Sequence, residues 1–202
     1  MICGVESNFV LELAFRHEEA IHCTHLLTLA EQKAIQLVIP ACALFEPYET
    51  LIRREKERAK VADGLKQELQ QLARTDTYAE LGKTSETVTR TLAESSKEQA
   101  GSLSKTIDRV VSIATVIPLD ANVIKHSLAI QLAYGLPPQD SVVFASIDQF
   151  FGEQDTKPKL FANKNRRDFA NDLVEGQLAK HNCKLLPRFS QAKAYIEGML
   201  RK

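Results

Sequence analysis

MICGVESNFVLELAF, residues 1–15, decides how the rest of the chain is read. Met1 to Val5 is a short continuous apolar run. Glu6, Ser7 and Asn8 interrupt it, and apolar residues return at Phe9, Val10, Leu13 and Ala14 in helical spacing. A run of that kind followed by a 3.6-residue period reads as a strand buried on both faces that leads directly into a helix. The acid at the junction stands out, because a buried charge is costly unless it is paired or bound to a metal. Glu6 therefore calls for a partner elsewhere in the chain.

Working outward, four more runs have the same continuous apolar character: IQLVI (35–39), TVIPL (115–119), KLFAN (159–163) and CKLLP (183–187). Helical patterns lie between them. Residues 8–32 carry two helices, 121–134 and 139–151 a pair broken at Gly135, Pro137 and Pro138, and 170–180 and 190–201 the last two. Alternation of this kind predicts an α/β fold with a parallel sheet. Residues 49–114 break the rhythm with no strand candidate. Val61, Leu65, Leu69 and Leu72 form one helical stripe, and Val88, Leu92, Leu103, Ile107, Val111 and Ala114 another, with a break near Thr75 to Lys83. The chain is thus expected to be a single domain over 1–202, with a helical hairpin inserted at about 49–114 that either braces the domain or reaches across a two-fold axis as a dimer arm.

Lys plus Arg and Asp plus Glu number 26 each among the 202 residues, so no global field draws a polyanion and any nucleic-acid contact must come from local clusters. No uncharged apolar run nears the ~18 residues of a membrane span. No signal peptide is visible either, so a cytoplasmic protein with no membrane partner is expected. Cys3, Cys23, Cys42 and Cys183 lack CxxC spacing and read as small buried hydrophobes. The HCTH stretch, residues 22–25, has no matching ligand pair for a zinc site.

Ligands of open parallel sheets bind beyond the carboxyl ends of the strands. Glu6 follows the first strand and Glu46 the second. Asp140 opens the helix after Pro137 and Pro138, and Asn163, Asn165 and Asp168 follow the fourth strand. Each acid alone admits a structural use: Asp140 at a helix N-terminus, Asp168 as a cap, Glu46 as a kink before Pro47, Glu6 in an ion pair. Together, four acids at one edge would repel one another, and a hard divalent cation, Mg²⁺ or Mn²⁺, removes that repulsion.

The order VESNF, then Glu46, then PPQDSVVFASI (137–147), then FANKNRRDF (161–169) resembles the PIN-domain nucleases, among them the ribonuclease toxins of bacterial toxin–antitoxin pairs. The resemblance covers roughly 1–48 and 115–187 and leaves out the hairpin. It implies a three-layer α/β/α fold around a parallel five-stranded sheet, and a metal-dependent ribonuclease. Carried over, the family's first Asp falls on Glu6, its next two polar residues on Ser7 and Asn8, its helix acid on Glu46 and its third acid on Asp140. Its last segment falls on Asn163, Asn165, Asp168 and Phe169. The chain departs from the pattern in having Glu at position 6 and Asn at 163, where Thr or Ser is frequent.

On this resemblance Glu6, Asp140 and Asp168 bind the ion directly or through water. Glu46 serves a second ion or positions the water, and Asn165 completes the shell. Ser7, Asn8 and Asn163 support from behind. Lys157, Lys159, Lys164, Arg166 and Arg167 surround the fourth acid. Of these Lys164, Arg166 and Arg167, with Arg53 and Arg54 beyond Glu46, would meet the RNA backbone. Pairing such as Arg53 with Glu57 is the ordinary alternative for these cations. RNA, an antitoxin or other protein partner, and a homodimer are the partners implied. The rival functions are a non-catalytic PIN-like binding module and a two-helix interaction protein on an α/β scaffold.

Overall fold

The computed structural model describes residues 1–202 except 79, 80, 155, 156, 166–168, 170 and 202, and the side chains of 81–83 and 85. Asp168, Arg166 and Arg167 thus lie outside the described residues. The chain forms two compact units, Met1–Pro47 with Lys105–Lys202, and Tyr48–Ser104.

In the first unit five strands are found among the described residues: β1 (Ile2–Gly4), β2 (Gln36–Pro40), β3 (Thr115–Ile117), β4 (Lys159–Ala162) and β5 (Cys183–Leu186). They make one sheet in the order β3-β2-β1-β4-β5, and every pairing is parallel. Each expected strand is present, and β1, β2 and β4 are buried along nearly their whole length, as strands covered on both faces are. The register sets Gly4 opposite both Val38 and Phe161, so β1, β2 and β4 end at one edge.

The helices are α1 (Ser7–Phe15), α2 (Ala20–Glu31), α3 (Glu46–Leu72), α4 (Leu81–Ile113), α5 (Ala121–Tyr134), α6 (Pro138–Gly152), α7 (Asp172–Lys180) and α8 (Phe189–Leu200). On one face of the sheet, Val123, Ile130, Phe144, Ile147, Val174 and Leu178 of α5, α6 and α7 share a core with Ile2, Val38, Ile117 and Phe161. The other face carries α1, α2 and α8, with Phe9 edge-on to Phe189 at 5.5 Å. Full burial of one such Phe contributes roughly 2–3 kcal/mol. Gly4 is where α6 comes closest to β1. A Cβ there would stand 3.0 Å from Ile147 Cδ1 and 3.1 Å from Phe151 Cζ.

Local chemistry sets the helix ends. Asp120 caps α5 by accepting from the N–H groups of Asn122 and Val123, and Asn171 caps α7 through Leu173 and Val174. The N-terminus of α8 is closed from a distance, with the Glu19 carboxylate accepting from Phe189 N and Ser190 Oγ at 2.9 and 2.8 Å.

In the second unit α3 and α4 are the two long helices expected of a hairpin, and Arg58 Nη1 donates to Ser95 and Ser96 between them. The apolar register differs from the expected stripes by one residue in places. Val61 and Leu72 are exposed in this unit. In the last turns of α4, which belong to the first unit, Val110 is buried and Val111 is 47% exposed. At 100° per residue, positions 110 and 114 lie within roughly 20° of 103, whereas 111 is about 80° away.

Candidate functional site

Glu6 lies two residues beyond β1, in extended backbone with φ −132° and ψ −171°, and it is the N-cap of α1. Its Oε2 accepts from three donors: Ser7 Oγ at 2.9 Å, Asn8 N at 2.9 Å and Asn8 Nδ2 at 3.1 Å. Its Oε1 is buried and has no hydrogen-bond partner. Burial pushes this carboxyl up to about 7, and the charge of Glu46 adds to the rise, while the bonds from Asn8 and Ser7 pull it down. Ser7 and Asn8 therefore hold the Glu6 side chain through Oε2.

Glu46 is the first residue of α3. Pro47 stands in the first helical turn, where its missing N–H costs nothing, so it does not break the helix. Asp140 is in the first turn of α6, half-buried, and its Oδ2 accepts from Asn165 Nδ2 at 3.2 Å. Asn165 N in turn donates to Asn163 Oδ1 at 2.7 Å. Asn163 is buried just past β4, and its Nδ2 has no partner. The structure thus joins Asp140, Asn165 and Asn163 in one chain of hydrogen bonds, and sets Glu6 within the electrostatic reach of Glu46. Each buried orphan, one an acceptor and one a donor, forgoes a bond worth about 1–3 kcal/mol. Buried atoms in that state call for an explanation.

Lys164 sits between these two asparagines in sequence, but its ammonium is held by Glu12 Oε1 of α1 and, at 3.4 Å, by Glu18 Oε2. The Glu12 bond raises the Lys164 amine. Glu12 itself is buried, its Oε2 accepting from Glu19 N at 2.8 Å. No local pattern marks this second buried acid, since Lys164 and Glu12 stand 152 residues apart. Arg53 and Arg54 belong to the α3 segment of the second unit, Arg53 exposed and Arg54 half-buried.

Among the described residues no three His, Cys, Asp or Glu side chains gather closely enough to hold a metal ion. Cys3, Cys23 and Cys183 are buried and Cys42 is partly so, all four as free thiols, with burial pushing Cys3 up to about 12 and Cys42 to about 11. They are the small hydrophobes expected, and the HCTH stretch carries no metal cluster among the described residues. In comparisons with family models, curated proteins and solved structures, nothing matches this chain. Among the described residues no helix is long and apolar enough to cross a membrane.

Proposed function

We propose that this chain is a metal-dependent ribonuclease of the PIN-domain type, working at the carboxyl edge of its sheet. The observation that carries this reading is the Glu6 carboxyl, buried, with three donors on one oxygen and none on the other. A proton, a cation or a further hydrogen-bond donor relieves that state. The topology favours a ligand at the same place. From β1 the chain builds outward through β2 and β3 on one side, and β4 and β5 lie on the other, so the order switches between β1 and β4. Crevices at such switch points are where open α/β sheets bind ligands, and Glu6 and Asn163 follow those two strands.

In this proposal Glu6, Asp140 and Asp168 hold Mg²⁺ or Mn²⁺, directly or through water, with Asn165 as a neutral oxygen donor. Such an ion supplies an activated water and neutralises charge at the phosphorus. Ser7 and Asn8 keep Glu6 oriented, and Glu46 positions the water. Arg53, Arg54, Arg166 and Arg167 are the proposed RNA contacts. Lys164 is engaged by Glu12 and Glu18 and contributes less. RNA as substrate and an antitoxin as partner rest on the sequence resemblance alone, and a second copy on the pair of long helices.

Mn²⁺ at saturating concentration is expected to stabilise the wild type by about 2–3 kcal/mol. That gain should vanish in Glu6→Gln and shrink in Asp140→Asn, and Mg²⁺-dependent cleavage of structured RNA should be lost in Asp140→Asn and Glu46→Gln. Melting curves and gel-resolved cleavage read both. A second reading, a non-catalytic PIN-like module that binds RNA or protein, is favoured by the use of Glu6 as an N-cap, a role that needs no ion. RNA retention with neither a Mn²⁺ shift nor cleavage would establish that reading instead.

A further inference from the structure

At the opposite, amino edge of the sheet lies a cavity of about 400 Å³ in the first unit. It is lined by Met1, Gln36 and Thr115, at or just before the starts of three strands, by Ile113 at the end of α4, and by Lys33 and Lys157. Lys157 thus stands at the opposite edge from the carboxylates it was expected to surround. Among the described lining residues there is no carboxylate. Glu31, at the end of α2, is already neutralised, because Arg109 Nε and Nη2 both donate to its Oε1, at 3.1 and 2.9 Å. The described lining of the cavity therefore carries two lysines and no acid, in a chain of zero formal net charge.

Lys33 occupies a telling position. Helix α2 ends in a Schellman motif, with Lys33 N donating to Ala30 O and Ala34 N to Leu29 O at 2.9 Å each. Lys33 takes the left-handed conformation of that motif, with φ 58°, where glycine fits without strain. The lysine costs stability at this turn, and it is an exposed residue on the lining of the cavity. Gln36 Nε2 donates to Thr115 Oγ1 at 3.3 Å, which leaves the hydroxyl hydrogen of Thr115 to donate elsewhere.

We propose that this cavity binds a small organic phosphate, its phosphate held by Lys33, Lys157 and Thr115 and its uncharged body lying against Ile113. The volume falls in the range of small-molecule sites, and ammonium groups serve as point-charge phosphate ligands. The site is separate from the carboxyl edge and stands whether or not the chain is a nuclease.

Adenosine 5′-monophosphate is a suitable probe for the full chain, with adenosine and inorganic phosphate as partial probes. Titration followed by amide NMR is expected to saturate, with the largest shifts at 30–37 and 113–115. The double variant Lys33→Gln/Lys157→Gln should bind about tenfold more weakly, and Glu6→Gln as tightly as wild type. Lys33→Gly separates structure from binding, since it should raise the melting temperature while weakening the monophosphate. Absence of saturation at millimolar monophosphate would overturn the proposal, as would unchanged affinity in the double variant. Equally tight binding of adenosine would remove the phosphate from it.

Discussion

Glu6 is asked to cap a helix with one oxygen and to leave the other bare in the core, and that division makes its charge costly. Burial first, and Glu46 after it, move the carboxyl from an ordinary 4.5 to about 7, against the pull of the Asn8 and Ser7 bonds. Between those values the folded chain keeps a proton that the unfolded chain has lost. Stability therefore falls as pH rises through that window, by about 3 kcal/mol in all for this group. Below 4.5 both states are protonated and the cost is absent; above about 7 it is present in full. In Glu6→Gln the slope from this group should disappear. Urea unfolding of both proteins, from about pH 4.5 to about pH 8, measures the difference. Saturating Mn²⁺ should flatten the wild-type slope too, because a bound cation holds the carboxylate ionised. An identical pH slope in wild type and variant would move the burden off Glu6.

At the scale of elements, three helices are tied by one buried carboxylate. Asp148 of α6 accepts from His126 Nε2 of α5 and His181 Nε2 beyond α7, each at 2.8 Å, and from Gln177 Nε2 at 3.0 Å. Asp148→Ala removes every one of these acceptors and is expected to cost about 3 kcal/mol, or ~6–12 °C of melting temperature for a chain of this size. Asp148→Asn keeps one acceptor oxygen and should lose less. Thermal melts of the pair give the order. A loss under about 0.5 kcal/mol in the alanine variant would mean that the helices pack without the tie. Nothing in the sequence announced this cluster, because its histidines lie 22 and 33 residues from Asp148 and have no motif spacing. The strands were readable for the opposite reason. LVI within IQLVI and LFA within KLFAN are unbroken apolar runs with no polar alternation, as a sheet covered on both faces demands. The hairpin stripes were readable in kind but not in register, since Val110 and Val111 are alike in side chain and differ only in the angle at which α4 presents them.

For the whole molecule, topology does what local pattern cannot. The placing of Glu6, Glu46 and Asn163 after strands and of Asp140 at a helix start was visible in the sequence, whereas the pairing of Asn165 with Asp140 and of Lys164 with Glu12 needed the folded sheet. Lys33 and Lys157 likewise meet on one cavity only because β1 lies between β2 and β4. The two units differ sharply in what they bury. Cys3, Val5, Phe9, Val38, Phe144, Leu160 and Phe161 of the first are fully buried, while along the second Val61, Leu72 and Tyr78 are exposed and burial is confined to Thr50, Leu51 and Leu103 near its ends among the described residues. A helix with few buried apolar contacts opens at a lower free energy than a covered sheet. In native-state hydrogen exchange, amides of 56–72 and 86–100 should therefore open at least about 2 kcal/mol below those of β1, β2 and β4, which report global unfolding. Trypsin should likewise cut first within the hairpin, whose α3 segment alone carries Arg53, Arg54, Lys56, Arg58, Lys60 and Lys66. Equal protection in hairpin and sheet would show instead that the long helices share the cooperative unit of the core, and that their exposed apolar residues are covered in solution by something outside this chain.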